Sequence, residues 1–122
     1  MIYTGYYAKL KEYEKAGLVP VAISGKVPDF YDGLIYKEFA PRWEIFKKWK
    51  NKEISNIEYV EEYKKYLDSL DKEEIREDFD SPNKCDNMIL LCYEKSGDFC
   101  HRHALADWLE ENFSYRVEEY SV

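Results

Sequence analysis

The segment Met88 to Tyr93, MILLCY, constrains this chain more than any other. Six residues run apolar without alternation, between the polar loop SPNKCDN and a second polar stretch that ends at Cys100. A strand covered on one face alternates apolar and polar side chains, so a continuous run implies burial on both faces. That is the situation of an interior strand in a parallel sheet with helices on either side. The remaining patterns agree. Met1 to Thr4 reads as a short strand, and Ala8 to Ala16 as a helix with Leu10 and Tyr13 inward, stopped by Gly17. Leu18 to Ile23 is a second strand, with Pro20 suggesting an edge. Pro41 suits the first turn of a helix reaching about Asn51, whose inward stripe is Trp43, Phe46 and Trp49. Asn56 caps a helix carrying Ile57, Val60, Tyr63, Leu67 and Leu70, and Asp71 with Glu74 forms a capping box for a short helix bearing Ile75 and Phe79. After the central strand come a helix from His101 to Phe113 and a last strand within Tyr115 to Tyr120. The alternation predicts a single α/β domain over residues 1–122, a small three-layer Rossmann-like fold with a mostly parallel sheet and helices on both faces. Right-handed crossovers suggest the strand order 2-1-3-4. A ligand would then sit at the carboxyl ends of the strands, near Thr4 to Tyr7, Ser24 to Lys26 and Cys92 to Glu94.

The helix that opens at Cys100 points at the same crevice, and its charges are inverted. Acidic groups are favoured at a helix N-terminus and basic groups at its C-terminus. Here His101, Arg102 and His103 occupy the first turn, while Glu110 and Glu111 occupy the last. Side chains and backbone dipole therefore both make the opening positive, which suits a small anionic ligand. The alternative is an internal ion pair between Arg102 and Glu94 or Asp98 in the preceding loop. Cys100 sits in the same field, which lowers a thiol pKa and makes a nucleophile or redox thiol, with His101 as proton acceptor. The competing reading is a packed, inert cysteine. Cys92 ends the apolar strand, packed or facing the cleft, and Cys85 in its polar loop is incidental.

No metal is expected. Cys92, Cys100, His101 and His103 are possible ligands, but the cysteines are not spaced as a compact zinc-binding pair. No cofactor motif is present: Ser24-Gly25-Lys26 lacks a full phosphate-binding loop and reads as a turn. Tyr6 and Tyr7 stand where they could stack on a ring, or merely pack. The net charge of −7 argues against a duplex-DNA binder with a broad basic face, leaving nucleic acid only a local site. The apolar runs are too short for a bilayer, and the first residues lack a signal-peptide pattern. Three cysteines without a disulfide-like framework point to a reducing compartment, the cytoplasm, where a Cys92–Cys100 disulfide is disfavoured.

At LLCYEK and FCHRH the chain resembles the domain-of-unknown-function 488 family, through Leu91, Cys92, Glu94, Cys100, His101 and Arg102. The resemblance extends to Ser24 and Pro28 and to Tyr36, Ala40 and Pro41, and the chain is similar to the shorter members. Many relatives carry Thr-Ile-Gly-His-Ser after the first strand, where this chain has Thr4, Gly5, Tyr6 and Tyr7; any role of that histidine is absent or passes to His103. The resemblance implies a shared site rather than a reaction. The functional expectation is a small enzyme acting on an anionic, nucleotide- or nucleic-acid-like substrate. Cys100, His101 and Glu94 would be catalytic, and Arg102, Cys92, Ser24 and Tyr6 would bind substrate. The other reading is a non-catalytic anion- or nucleotide-binding module using the same residues.

Overall fold

The computed structural model describes residues 2–80, 87–94 and 99–121. Five strands form one all-parallel sheet: β1 (Ile2–Tyr6), β2 (Val19–Ala22), β3 (Leu34–Ile35), β4 (Met88–Cys92) and β5 (Val117–Glu119). The helices are α1 (Leu10–Lys15), α2 (Trp43–Lys50), α3 (Asn56–Asp68), α4 (Lys72–Asp80) and α5 (His101–Phe113). All five residues of β4 are buried, and the strand lies between β2 and β1, as its unbroken apolar run requires. Its side chains divide by parity. Met88 and Leu90 join α3, α4 and α5 in one core through Tyr63, Leu67, Ile75, Phe79, Leu105 and Trp108. Ile89 and Leu91 face the other way, onto Tyr13 of α1, Leu18 and Tyr31. The result is the expected three layers.

The strand order is β3-β2-β4-β1-β5, which corrects the expected 2-1-3-4. The crossover from β1 skips the place later filled by β4, and that from β4 passes over β1. Periodicity reveals which faces of a strand are buried but not how many strands a crossover spans. β3 was not foreseen, because a two-residue strand within a turn-rich segment carries no periodic signal. Pro20 therefore lies in an interior strand. The amides of Val19 and Ile23 bond to Asn87 and Leu91 on the β4 side, so the Pro20 nitrogen faces the β3 side. There β3 pairs only with Val21 and Ala22, and no donor is needed at Pro20.

Three helix details differ from expectation. Ser55, not Asn56, caps α3, in a reciprocal capping box with Glu58. Pro41 lies just outside α2, whose cap position is Arg42. The Trp43, Phe46, Trp49 stripe is not buried: Trp43 is 64% exposed, the rings pack tilted against one another in sequence, and Trp49 packs onto Tyr59 and Phe99 at the α2–α3 edge. No described helix is long and apolar enough to cross a membrane.

Chains leave β1 toward β2 and leave β4 toward β5, in opposite directions. The switch point lies between the carboxyl ends of β1 and β4, at Tyr6–Tyr7 and Cys92–Glu94. Gly5 holds this region close. A Cβ there would stand 2.6 Å from the Tyr13 hydroxyl and 2.8 Å from Ile89 Cδ1. Gly5→Ala should cost about 1–3 kcal/mol by overpacking. Gly25→Ala, in open space, should change stability by less than about 0.5 kcal/mol. Urea denaturation of the two variants checks the difference.

Candidate functional site

The site is built where β4 ends and α5 begins. Cys92 is the last residue of β4 and, like Leu90, faces α5. Cys100 is the N-cap residue of α5, in extended conformation and without a side-chain cap bond. Its first turn then delivers His101 and Arg102 inward and His103 to the surface. Cys92, Cys100, His101 and Arg102 are all buried, Arg102 completely.

A fully buried guanidinium is costly unless its charge and its N–H groups are met. Arg102 Nε and Nη2 donate to the two carboxylate oxygens of Glu119 at 3.0 and 2.8 Å, a bidentate pair. Nη1 donates to Cys92 Sγ at 3.0 Å and to the Glu94 carbonyl. The Thr4 hydroxyl donates to Glu119 Oε1 at 2.6 Å, and the Tyr6 ring lies 5.9 Å from the guanidinium carbon. The internal-pair reading of Arg102 therefore holds with a different partner, Glu119 on β5. Glu94 contributes its carbonyl, and Asp98 lies outside the described residues. The signal for Glu119 was in the sequence: in RVEEY it shares the inward parity of Val117, and a carboxylate facing a core demands a partner.

The two cysteine sulfurs are paired as a disulfide, where the sequence favoured separate thiols. His101 lies beside them. Its Nε2 meets the Ile23 carbonyl at 2.9 Å, and its Nδ1 faces Cys100 Sγ at 3.8 Å. A carbonyl only accepts, so Nε2 carries the proton and Nδ1 presents its lone pair to Cys100. The Ile23 carbonyl thus orients His101. With the two sulfurs joined, burial, with smaller contributions from Arg102 and His103, lowers the His101 pKa to about 4, against the opposing pull of the Ile23 bond. The Tyr63 ring packs edge-on against the imidazole, with ring centroids 5.4 Å apart.

Of the residues expected at the site, Tyr6, Cys92, Glu94 (through its backbone), Cys100, His101 and Arg102 come together. Ser24 does not join them. It follows Ile23 but belongs to the opposite side of the sheet, where it accepts from the Tyr7 hydroxyl at 2.6 Å and donates to the Lys26 carbonyl. Burial pushes the Tyr7 phenol up to about 12, although the Ser24 bond pulls the other way. The Tyr7 ring packs edge-on against Tyr31 and Tyr93, and Tyr93 is half exposed at the end of β4. The cluster lies beneath the surface; a cleft lined by Ile45, Lys48, Ile54 and Glu58 runs between α2 and α3, away from it.

Two measurements test this construction. Glu119→Leu strands the Arg102 charge in the core and should cost about 3–5 kcal/mol. Adding Arg102→Met should cost less than the two single changes summed, because the double variant buries no unpaired ion. Urea denaturation of the three variants reads both effects. His101 gives a pH signature. Its folded pKa lies below the unfolded 6.5, so the unfolded chain binds more protons between about 4 and 6.5. Stability is then full above that window and falls as the pH drops through it, by roughly 3 kcal/mol in all. His101→Gln, which keeps a donor for Ile23, should flatten that part of the stability–pH curve.

Residues 11–113 match the family model described as the active DUF488-N3 subclade, DUF488-N3a. No curated protein and no solved structure matches the chain. The matched span runs from within α1 to the end of α5, with Cys92, Glu94, Cys100, His101 and Arg102 inside it. The chain therefore belongs to the domain-of-unknown-function 488 family.

Proposed function

We propose that the reduced protein is a small enzyme in which Cys100 is the nucleophile and His101 its proton acceptor. One observation carries the reading: the Ile23 carbonyl accepts a hydrogen bond from Nε2–H and leaves the Nδ1 lone pair aimed at Cys100 Sγ. This is the nucleophile, base and orienting group required for an activated thiol, drawn from α5 and the end of β2. The dipole of α5 favours negative charge at its N-cap, where Cys100 stands. The word "active" in the description of the matching subclade agrees with a catalytic role.

The substrate class we infer is a small anion bearing a ring, a nucleotide or a nucleic-acid end. The positive pole of α5 and the exposed His103 would meet the negative charge. Tyr93, half exposed beside Tyr7, offers a stacking face. Arg102 supports this site from beneath, since four of its N–H groups are committed to Glu119, Cys92 and Glu94. Glu94 and Cys92 border the nucleophile, and Tyr6 holds the guanidinium from the side.

Alkylation of the reduced chain tests the assignment. Cys100 should react with iodoacetamide at pH values well below the ordinary thiol pKa of about 8.5. His101→Gln should slow that reaction about tenfold or more. A Cys100 that reacts no faster than thiols of the unfolded chain, with or without His101, would sink the enzyme reading. The same residues would then belong to a non-catalytic anion- or nucleotide-binding module.

A further inference from the structure

The geometry points to a metal site at the same cluster: we infer that the reduced chain binds one soft divalent cation of the zinc type through Cys92 Sγ, Cys100 Sγ and His101 Nδ1. This goes beyond the thiol-enzyme reading and does not depend on it. The metal-bound form is one in which the nucleophile is capped.

The three ligand atoms lie within 4.8 Å of one another, and all three residues are buried. The spacing of Cys100 Sγ and His101 Nδ1, 3.8 Å, suits two ligands of one ion. Zinc–sulfur and zinc–nitrogen bonds of about 2.3 and 2.0–2.1 Å at a tetrahedral angle place the two donors about 3.6 Å apart. The backbone carries Cys92 and Cys100 with Cα atoms 7.7 Å apart. That is wide for a direct sulfur–sulfur link, which usually spans up to about 6.8 Å, so on reduction the two sulfurs can part to take an ion between them.

The surroundings match a metal ligand set. A metal-bound histidine donates its other N–H to a carbonyl or carboxylate, which fixes its tautomer. His101 Nε2 already does so, to Ile23. Arg102 Nη1 donates to Cys92 Sγ, the outer hydrogen bond that a metal-bound thiolate at this position would receive. The charges also balance. Two thiolates offset a divalent ion, and Glu119 offsets Arg102, so the filled site buries no net charge. Soft sulfur donors with one imidazole select zinc-like ions over magnesium or calcium. Three protein ligands leave one coordination position for water or a substrate atom. Sequence spacing argued against this site because the ligands come from a strand end and a helix start, and only the sheet geometry makes them neighbours.

Titration of the full reduced chain with cobalt(II), in a thiol-free reductant, tests the inference. A sulfur-to-cobalt charge-transfer band and the visible bands of tetrahedral cobalt should rise and saturate at one equivalent, and zinc(II) should remove them. Oxidation to the disulfide should abolish them. Cys92→Ser, Cys100→Ser and His101→Gln should each weaken binding at least tenfold, whereas Cys85→Ser should leave it unchanged. A reduced, folded wild type without these bands would overturn the site. So would bands that survive oxidation, bands lost in Cys85→Ser, or binding unaffected in folded variants of all three ligands. If a ligand variant does not fold, the reduced and oxidised wild types still decide. The readout is binding, and the alkylation test is run on metal-free protein, so either proposal can fail without the other.

Discussion

The bidentate pair between Arg102 and Glu119 is the interaction on which the rest of the site depends. A guanidinium with no solvent exposure is tolerated only where its charge and donors are answered. Glu119 answers the charge, and Cys92 with the Glu94 carbonyl answers the remaining direction. These partners come from β5, the end of β4 and the chain just beyond it, with Thr4 of β1 bonded to the same carboxylate. One side chain thereby ties the first turn of α5 to three adjacent strands. It also resolves the inverted charge pattern of that helix: the cation at its N-terminus is an internal strut rather than an open receptor.

Around that strut the parallel sheet does the positioning. Parallel strands all end on the same side, so the switch between β1 and β4 gathers Tyr6, Cys92 and the start of α5 in a small volume. The end of β2 adds a backbone group, the Ile23 carbonyl, which sets the His101 tautomer. The sulfur pair and the imidazole therefore sit in a low-dielectric, pre-oriented setting in which each has a defined neighbour. Such a setting suits thiol chemistry and soft-metal ligation alike, because both need a deprotonated sulfur next to a nitrogen lone pair.

The tyrosines divide along the same sheet. Tyr13 packs under Gly5, and Tyr7 and Tyr31 close the same face and leave Tyr93 half exposed at its rim. Tyr63 spans the other layer, donating to the Phe39 carbonyl and packing against His101. Burial raises the pKa of both Tyr7 and Tyr63, so these phenols remain neutral donors. Aromatic bulk thus fills both cores, and polar tips find specific acceptors.

Local sequence was sufficient for the elements other than β3, and it pointed to the residues gathered around the start of α5. The unbroken run at β4 required a strand covered on both faces, Gly17 marked the end of α1, and the Cys-His-Arg opening of α5 marked the place to look for chemistry. These are short-range properties, set by side-chain parity and backbone preference within a few residues. The strand order, the partner of Arg102 and the tautomer of His101 were decided by tertiary structure. Glu119 is seventeen residues from Arg102 and Ile23 is seventy-eight residues from His101, and no local pattern links such distant groups. The aromatic stripe of α2 shows the converse: Trp43, Phe46 and Trp49 have the spacing of a buried face, but the core beneath was already filled by α3, α4 and α5. Spacing dictates which side chains share a face of a helix; only the packing of the whole chain dictates what that face meets.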